Sequence, residues 1–432
     1  MSPQAIRLRA CPRIVRAGRT AEIVIEAPPG EKRFLAAAPY SVRCVPMEGK
    51  RPGGGGAGDL PAARTENGKL IIRHDWPGEQ EYALAVEESA GGTPRPLGEA
   101  RVYAADDDLF SLLPWKGDFH LHTLGSDGRE PPPQAAAACR RIGMDFMAVT
   151  DHRTYAPSRE AIEAFRGVPI NLRINPGEEI HPPDCRIHII NFGGRASINE
   201  MFTARAGEYA AEIGALAAGL PAGTLSEAER REYAACVWCY RQIRDAGGLA
   251  IFCHPYWVTK HAYNVPEALI RRHFDDMPCD ALELIGGYYR HEAESNMLQV
   301  VRYYTELGLG RRIPIVGASD AHGCERGDLF GWYYTIVFGP SPGLADVAAA
   351  VRDCRAVAVE ALPGAPVRVY GPFRLVKYAL FLFREVFPDH DALCEAEGQA
   401  MARHAAGDPD ARHELARLHG RAPAAMARMR GE

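Results

Sequence analysis

Residues 117–128 read GDFHLHTLGSDG, which sets two imidazoles two positions apart and brings a carboxylate close behind them. In an extended strand the side chains at i and i+2 share a face, so His120 and His122 project together. Two imidazoles on one side supply half of a four-coordinate metal shell. The same spacing recurs as Asp320 and His322 in SDAH, behind the strand-like RIPIVGA. His152 ends MAVTDH, His254 ends LAIFCH and His188 lies in IHIINF, so six of the 15 histidines stand at or beside the ends of apolar runs. A lone histidine there is ordinarily a satisfied polar residue. The joint pattern is not: burying so many imidazoles and carboxylates together leaves lone pairs and charge that cations would compensate.

Apolar strand-like pieces alternate with helical ones after Leu113-Pro114-Trp115, and these are the elements that must hold those side chains. FHLHT is followed by the helix candidate PPPQAAAACRRIG and then by MDFMAVTDH; RIHIINFGG, GGLAIFCHP, DALELIGG and RIPIVGASDAH come later. This repeat predicts an α/β fold with a parallel arrangement, in which active groups gather at the C-terminal ends of strands. A helical stretch over about 198–246 reads as an insertion beside that framework. Residues 1–108 instead show short alternating runs, with Ala21, Ile23 and Ile25 set against Glu22, Val24 and Glu26, and a hairpin-type Asn67-Gly68. They predict a small β-sandwich without chemistry of its own. The domain expectation is therefore an accessory domain over 1–108, a chemical domain over 109–362 and a helical extension over 363–432. That extension begins with the amphipathic GPFRLVKYALFLFREVF, whose Arg374, Lys377 and Arg384 argue against a membrane span.

Composition narrows the partners. A net charge of −5 offers no broad positive field, so long duplex nucleic acid is an unexpected ligand and a small phosphorylated substrate a better one. Neither a signal-peptide core nor a run of about 20 apolar residues is seen, which predicts a cytoplasmic protein with no membrane segment. Eleven cysteines without a secreted-scaffold spacing are expected to be reduced. Cys236 and Cys239 form a C-x-x-C without a second pair and are expected to share a buried helix face; GGGGAG at 53–58 lacks the flanking strand and helix of a nucleotide motif and is expected to be a loop.

HLHTLGSDG, AVTDHR, GEEI followed by HIINF, GGLAIFCHP and GASDAHG, in that order, resemble the five signature stretches of the PHP family, the polymerase and histidinol phosphatase superfamily, over residues 115–360. The resemblance implies a distorted (β/α)7 TIM-like barrel with a trinuclear metal site. Carried over by position, it assigns His120, His122 and Asp320 to one ion, a bridging glutamate to a second held by His188 and His254, and Asp127, His152 and His322 to a third. The family's G-x-E-hydrophobic pattern selects Glu179 as the bridge, with Glu178 the alternative. His181 departs from the pattern, standing where a small hydroxyl residue is usual, and is expected to be exposed, with a place behind the ligand imidazoles as the alternative. Six imidazoles and three carboxylates without a thiolate suit Mn²⁺, Fe²⁺ or Zn²⁺, and Cys253 and Cys324 are expected to point away.

Such ions acidify water and neutralise phosphoryl oxygens, so the implied reaction is hydrolysis of a phosphomonoester or small nucleotide phosphate by a metal-activated hydroxide. Arg153 and Arg326 are the sequence neighbours expected to contact the remaining phosphate oxygens. Asp151 is expected to orient a ligand imidazole, and Asp118 to cap a strand end. Two other readings stand beside this one: an amidohydrolase-type hydrolase, which lacks its strand-end lysine here, and a non-catalytic metal-binding module that works through its outer domains. A homo-oligomer is a further expectation, with the helix at the start of the extension docking on the barrel or on a second subunit.

Overall fold

The computed structural model describes residues 6–431 apart from 29, 31–33, 36–37, 50–62, 91–92, 222, 224 and 326–328. The Gly-rich 53–58 and Arg326 lie outside the described residues. The chain divides into two compact units, one formed by the chain up to Leu112 with Leu380–His390 and the residues from Gly420 on, the other by Leu113–Ala379 with Asp391–His419. Among the described residues no helix is long and apolar enough to cross a membrane.

In the first unit the alternating runs become strands of two sheets. One orders Ile6–Arg7, Thr93–Ala105, Gln80–Ala90 and Tyr40–Pro46; the other orders Arg9–Cys11, Arg19–Glu26, Lys69–Trp76 and Ala63–Glu66. Ile23, Ile25, Leu70, Ile72, Tyr82, Leu84 and Val86 from both sheets share one core. Asn67 and Gly68, with φ of 52° and 78°, make the two-residue turn between Ala63–Glu66 and Lys69–Trp76, the positive φ at both positions that a twisted hairpin requires.

The second unit is mixed α/β. Its six-stranded sheet runs Arg173–Asn175, Phe146–Ala148, Leu113–Asp118, Tyr333–Gly339, Ala356–Glu360, Arg368–Tyr370, and its five-stranded sheet runs Gly177–Ile180, Ile189–Phe192, Leu249–Phe252, Ala281–Ile285, Ile315–Gly317. Neither sheet closes on itself. Parallel pairing, as expected from the strand and helix alternation, joins the first three strands of the six-stranded sheet and the last three of the five-stranded sheet. The expectation fails in the other half of the six-stranded sheet, where Leu113–Asp118, Tyr333–Gly339, Ala356–Glu360 and Arg368–Tyr370 pair antiparallel in turn, and at Gly177–Ile180, which pairs antiparallel with Ile189–Phe192, itself antiparallel to Leu249–Phe252. The eight residues between Ile180 and Ile189 are too few for a helical crossover, so the chain turns back. His188, at the N-terminal end of its strand, is thereby brought to the same end as the C-terminal ends of its neighbours.

These strands are buried on both faces, which explains their continuous apolar runs. Phe119 packs edge-on against Phe146 and Phe192 at centroid distances of 5.2 and 4.6 Å beneath the His120 turn. The 198–246 region is helical as expected, with helices Ile198–Ala204, Ala206–Ala218 and Glu227–Asp245, the last opened by a Ser226–Glu229 capping box. Cys236 and Cys239 are buried on that helix.

One ion-pair network ties residues 391–419 to the rest of this unit. Arg140, fully buried on the helix Pro132–Arg141, donates from Nε to Glu397 at 2.9 Å and from Nη1 to Asp145 at 2.9 Å and to the Met144 carbonyl at 2.8 Å. Glu397 also accepts from Asn171 Nδ2 at 2.9 Å. Removing one member leaves a buried charge poorly matched, so Glu397→Ala is expected to lower the unfolding free energy by about 3–5 kcal/mol. Urea denaturation measures it, and a loss below about 1 kcal/mol, ordinary for any substitution, would show that the network is not a principal tie.

Candidate metal centre

Glu179 is the hub. It lies on Gly177–Ile180 with its side chain fully buried, and its two oxygens face different imidazoles. Oε2 lies 2.6 Å from His152 Nδ1 and 3.4 Å from both His120 Nε2 and His122 Nε2; Oε1 lies 2.7 Å from His188 Nδ1 and 3.4 Å from His254 Nε2. Strand alternation turns Glu178 the other way, where it accepts from Ser197 Oγ at 2.8 Å, Asn199 Nδ2 at 2.9 Å and Asn191 Nδ2 at 3.2 Å. Of the two adjacent glutamates, then, Glu179 faces the histidines and Glu178 is consumed in anchoring the helix that begins at Ile198.

His120 and His122 follow the end of Leu113–Asp118 and are held extended by residues 320–321: the His122 N–H donates to the Ala321 carbonyl and the Asp320 N–H to the His120 carbonyl, both at 2.9 Å. Their Nε2 atoms come to 3.1 Å from one another, and Asp320 Oδ1 sits 3.2 Å from the first and 2.9 Å from the second. A second group gathers at the rim, where Asp127 lies 3.3 Å from His322 Nε2 and 3.6 Å from His152 Nε2. Arg153, His254 and Asp320 hold left-handed φ of 58°, 23° and 51°, strain of about 1–3 kcal/mol each that their surroundings must enforce. His152, His188, His254, His322, Asp127 and Asp320 open on a cavity of about 540 Å³ that Trp257 and Tyr289 also line, with His120 and His122 sealed beneath it; a groove of about 680 Å³ along the insertion helices shares no lining residue with it.

These residues fit divalent ions. With metal–ligand bonds of about 2.0–2.2 Å, donor atoms around one ion lie roughly 2.9–3.5 Å apart, which is the spacing of His120, His122, Asp320 and Glu179. All donors are nitrogen or oxygen, and Glu179 Oε2, His122 Nδ1 and His188 Nδ1 are buried without a well-formed hydrogen bond. Burial pushes His188 down to about 4, so its ring is neutral and free to ligate at neutral pH. Burial also opposes protonation of His120, yet Asp320 and Glu179 together pull its pKa well above the ordinary imidazole value. Burial would raise Glu179, but the charge and hydrogen bond of His120 and the hydrogen bond of His152 hold it well below the usual carboxylate range. Protons on imidazoles thus balance the carboxylates, and binding a cation would displace them.

The other sequence-selected residues are placed as follows. Asp151 does not meet an imidazole through its carboxylate: it accepts from the Thr123 N–H at 2.8 Å and from the Thr123 and Ser126 hydroxyls, which fixes the turn leading to Asp127. Asp118, pushed up to about 6 by burial, accepts from the Ser319 and His120 N–H groups and so joins the two ligand-bearing strand ends. Arg153 is exposed and uses its N–H on the Glu179 carbonyl. His181 is not exposed as expected; its Nε2 lies 2.9 Å from His152 Nδ1 and its ring lies 3.9 Å from that of His188, because the short 181–188 turn folds it back onto the cluster. Cys324 is buried; Cys253, expected to point away, is buried against the cluster instead, its Sγ lying with ring nitrogens of His120 and His254 in one group whose atoms are within 4.8 Å of one another. Sequence reasoning missed Glu283, whose Oε2 lies 3.0 Å from His120 Nδ1; its only signal was a carboxylate in the apolar run DALELIGG.

No family model matches the chain. A 68-residue segment is 35% identical to the DNA polymerase/3'-5' exonuclease PolX of Bacillus subtilis, covering 16% of this chain and 12% of that protein. Among solved structures, a two-domain protein from Bacteroides vulgatus containing a predicted PHP-like metal-dependent phosphoesterase is similar at 15% identity and a TM-score of 0.37, over 57% of this chain and 65% of that one. A protein from Bifidobacterium adolescentis described as a metal-dependent phosphoesterase is similar at 19% identity and a TM-score of 0.33, over 49% and 89%. An amidohydrolase from Chromobacterium violaceum, with bound sulfate and no metal, is similar at 18% identity and a TM-score of 0.31, over 56% and 96%. The polymerase and the Bacteroides protein are each spanned over less than two thirds of their length.

The two glutamates separate the roles of the Gly177–Ile180 strand. Glu179→Gln is expected to lower metal stoichiometry by at least one ion per chain, because a bridging charge is lost between cations. Glu178→Gln is expected to keep the metals and lose about 1–3 kcal/mol of stability through its buried hydrogen bonds. Elemental analysis and thermal melts of the two variants check this, and the reverse order would place the bridge on Glu178.

Proposed function

We propose that the chain is a PHP-type metal-dependent phosphoesterase of the cytoplasm, hydrolysing a phosphomonoester or small nucleotide phosphate at a trinuclear centre. The observation that carries the reading is Glu179, one carboxylate with each oxygen turned to a different set of imidazoles. In this reading His120, His122, Asp320 and Glu179 hold one ion, Glu179, His188 and His254 a second, and Asp127, His152 and His322 a third, each Mn²⁺, Fe²⁺ or Zn²⁺. The fold it takes is a distorted (β/α)7 barrel over 109–362, with 1–108 an accessory sandwich and 363–432 a helical extension. The bridges between Leu121 and Ala321 and between His152 and Glu179, which connect strand ends around the centre, support that barrel.

Divalent ions bound there supply acidity to water and positive charge against phosphoryl oxygens at neutral pH. Glu179, with its two oxygens turned to different imidazoles, would help hold two such ions close together. Asp151 fixes the turn that carries Asp127 through Thr123 and Ser126. Trp257 and Tyr289 wall the open side of the cavity, where the organic part of a substrate would lie. Arg153 and Arg326 remain the proposed contacts to the outer phosphate oxygens.

Turnover of an aryl phosphate by the metal-loaded protein, against a metal-stripped control, tests the reading. His120→Ala and Asp320→Ala are each expected to cut that turnover by about 100-fold or more, the size implied by several kcal/mol of lost charge stabilisation, with an unchanged circular dichroism spectrum. Wild-type turnover by both variants would sink the assignment. Turnover confined to amides would favour an amidohydrolase, and bound metal with neither activity a binding module.

A further inference from the structure

We infer that Glu283 is a positioning residue that fixes the tautomer and aim of His120, and hence the ion held between His120, His122 and Asp320; this rests on the metal-centre reading above. Glu283 stands in the middle of Ala281–Ile285, and both its side chain and that of His120 are inaccessible to solvent. Its Oε2 lies 3.0 Å from His120 Nδ1. The two nitrogens of an imidazole point in different directions from the ring. With Nδ1 turned to Glu283, Nε2 is the atom that meets His122 Nε2 at 3.1 Å, Asp320 Oδ1 at 3.2 Å and Glu179 Oε2 at 3.4 Å. A carboxylate accepts only, so the bond requires the proton on Nδ1 and leaves the Nε2 lone pair for the ion.

Burial makes this a specific arrangement. A carboxylate with no solvent contact needs compensation, and Glu283 Oε1 has no hydrogen-bond partner among the described residues, so the His120 N–H is its principal one. The neighbouring Gln299 amide does not serve, since it donates to the Glu283 and Leu284 carbonyls instead. A carboxylate behind a ligating imidazole raises the ring's basicity and holds its plane, and loss of such a partner typically weakens metal binding about 10–100-fold.

Metal affinity of the apo-protein for Co²⁺, followed by its visible absorption, tests the role without any substrate. Glu283→Leu, which keeps an apolar filling of similar size, is expected to stay folded and to bind the His120 ion about 10–100-fold more weakly, with an altered absorption envelope. Glu283→Gln, which keeps an oxygen acceptor but not the charge, is expected to fall between the wild type and Glu283→Leu. Affinity of Glu283→Leu within about threefold of the wild type would overturn the inference, since it lies outside the 10–100-fold range of such partners. Should that variant fail to fold, Glu283→Gln binding as tightly as the wild type overturns it. Wild-type protein that takes up no Co²⁺ would instead remove the metal-centre reading beneath it.

Discussion

A carboxylate with no access to water, surrounded by imidazoles, is the constraint on which the second unit turns. Glu179 cannot be left bare in that interior, where isolated charge costs several kcal/mol. It is neutralised only if rings from four separate places in the chain reach it: His120 and His122, His152, His188 and His254. The surrounding architecture meets that demand. Strands buried on both faces fix the positions of their ends, and an antiparallel turn brings His188 to the end its neighbours share.

Much of this is legible in the amino-acid sequence, because the signals are local. The i and i+2 spacing of His120 and His122, and of Asp320 and His322, follows from the pleat. Alternation separates Glu179 from Glu178, and the two glutamates do face opposite sides. What escapes is set by contacts far apart in sequence. Glu283 meets His120 across 163 positions, and nothing within its own run distinguishes it from a satisfied core carboxylate. Asp151 sits beside His152 in sequence and so reads as the partner of a ligand imidazole, but its carboxylate goes to Thr123 and Ser126, 28 and 25 positions away. His181 reads as exposed because loops usually are, and only the shortness of its turn presses it inward.

The reversed strand also shows where repetition stops being a guide. Alternating strands and helices predict parallel neighbours throughout, yet Ile189–Phe192 and Leu249–Phe252 pair antiparallel across three helices, and Tyr333–Gly339 and Ala356–Glu360 do so across the helix Leu344–Arg352. Between Ile180 and Ile189 no helix lies at all, and a connection of eight residues forces the reversal. The pattern of apolar runs is the same for a buried strand in either direction, so hydrophobicity does not carry the information.

Exposure climbs steadily across the cluster. His120 and His122 are sealed, Asp320 and His188 are 15% and 14% accessible, His152 and His322 reach 26% and 31%, and Asp127 stands at 58%. The deep donors rest on strand ends and aromatic packing, while Asp127 rests on a turn tied down by one neighbouring carboxylate. Solvent access is therefore graded across a few ångströms, from a sealed floor to an open lip. Whatever enters from the medium meets the lip first.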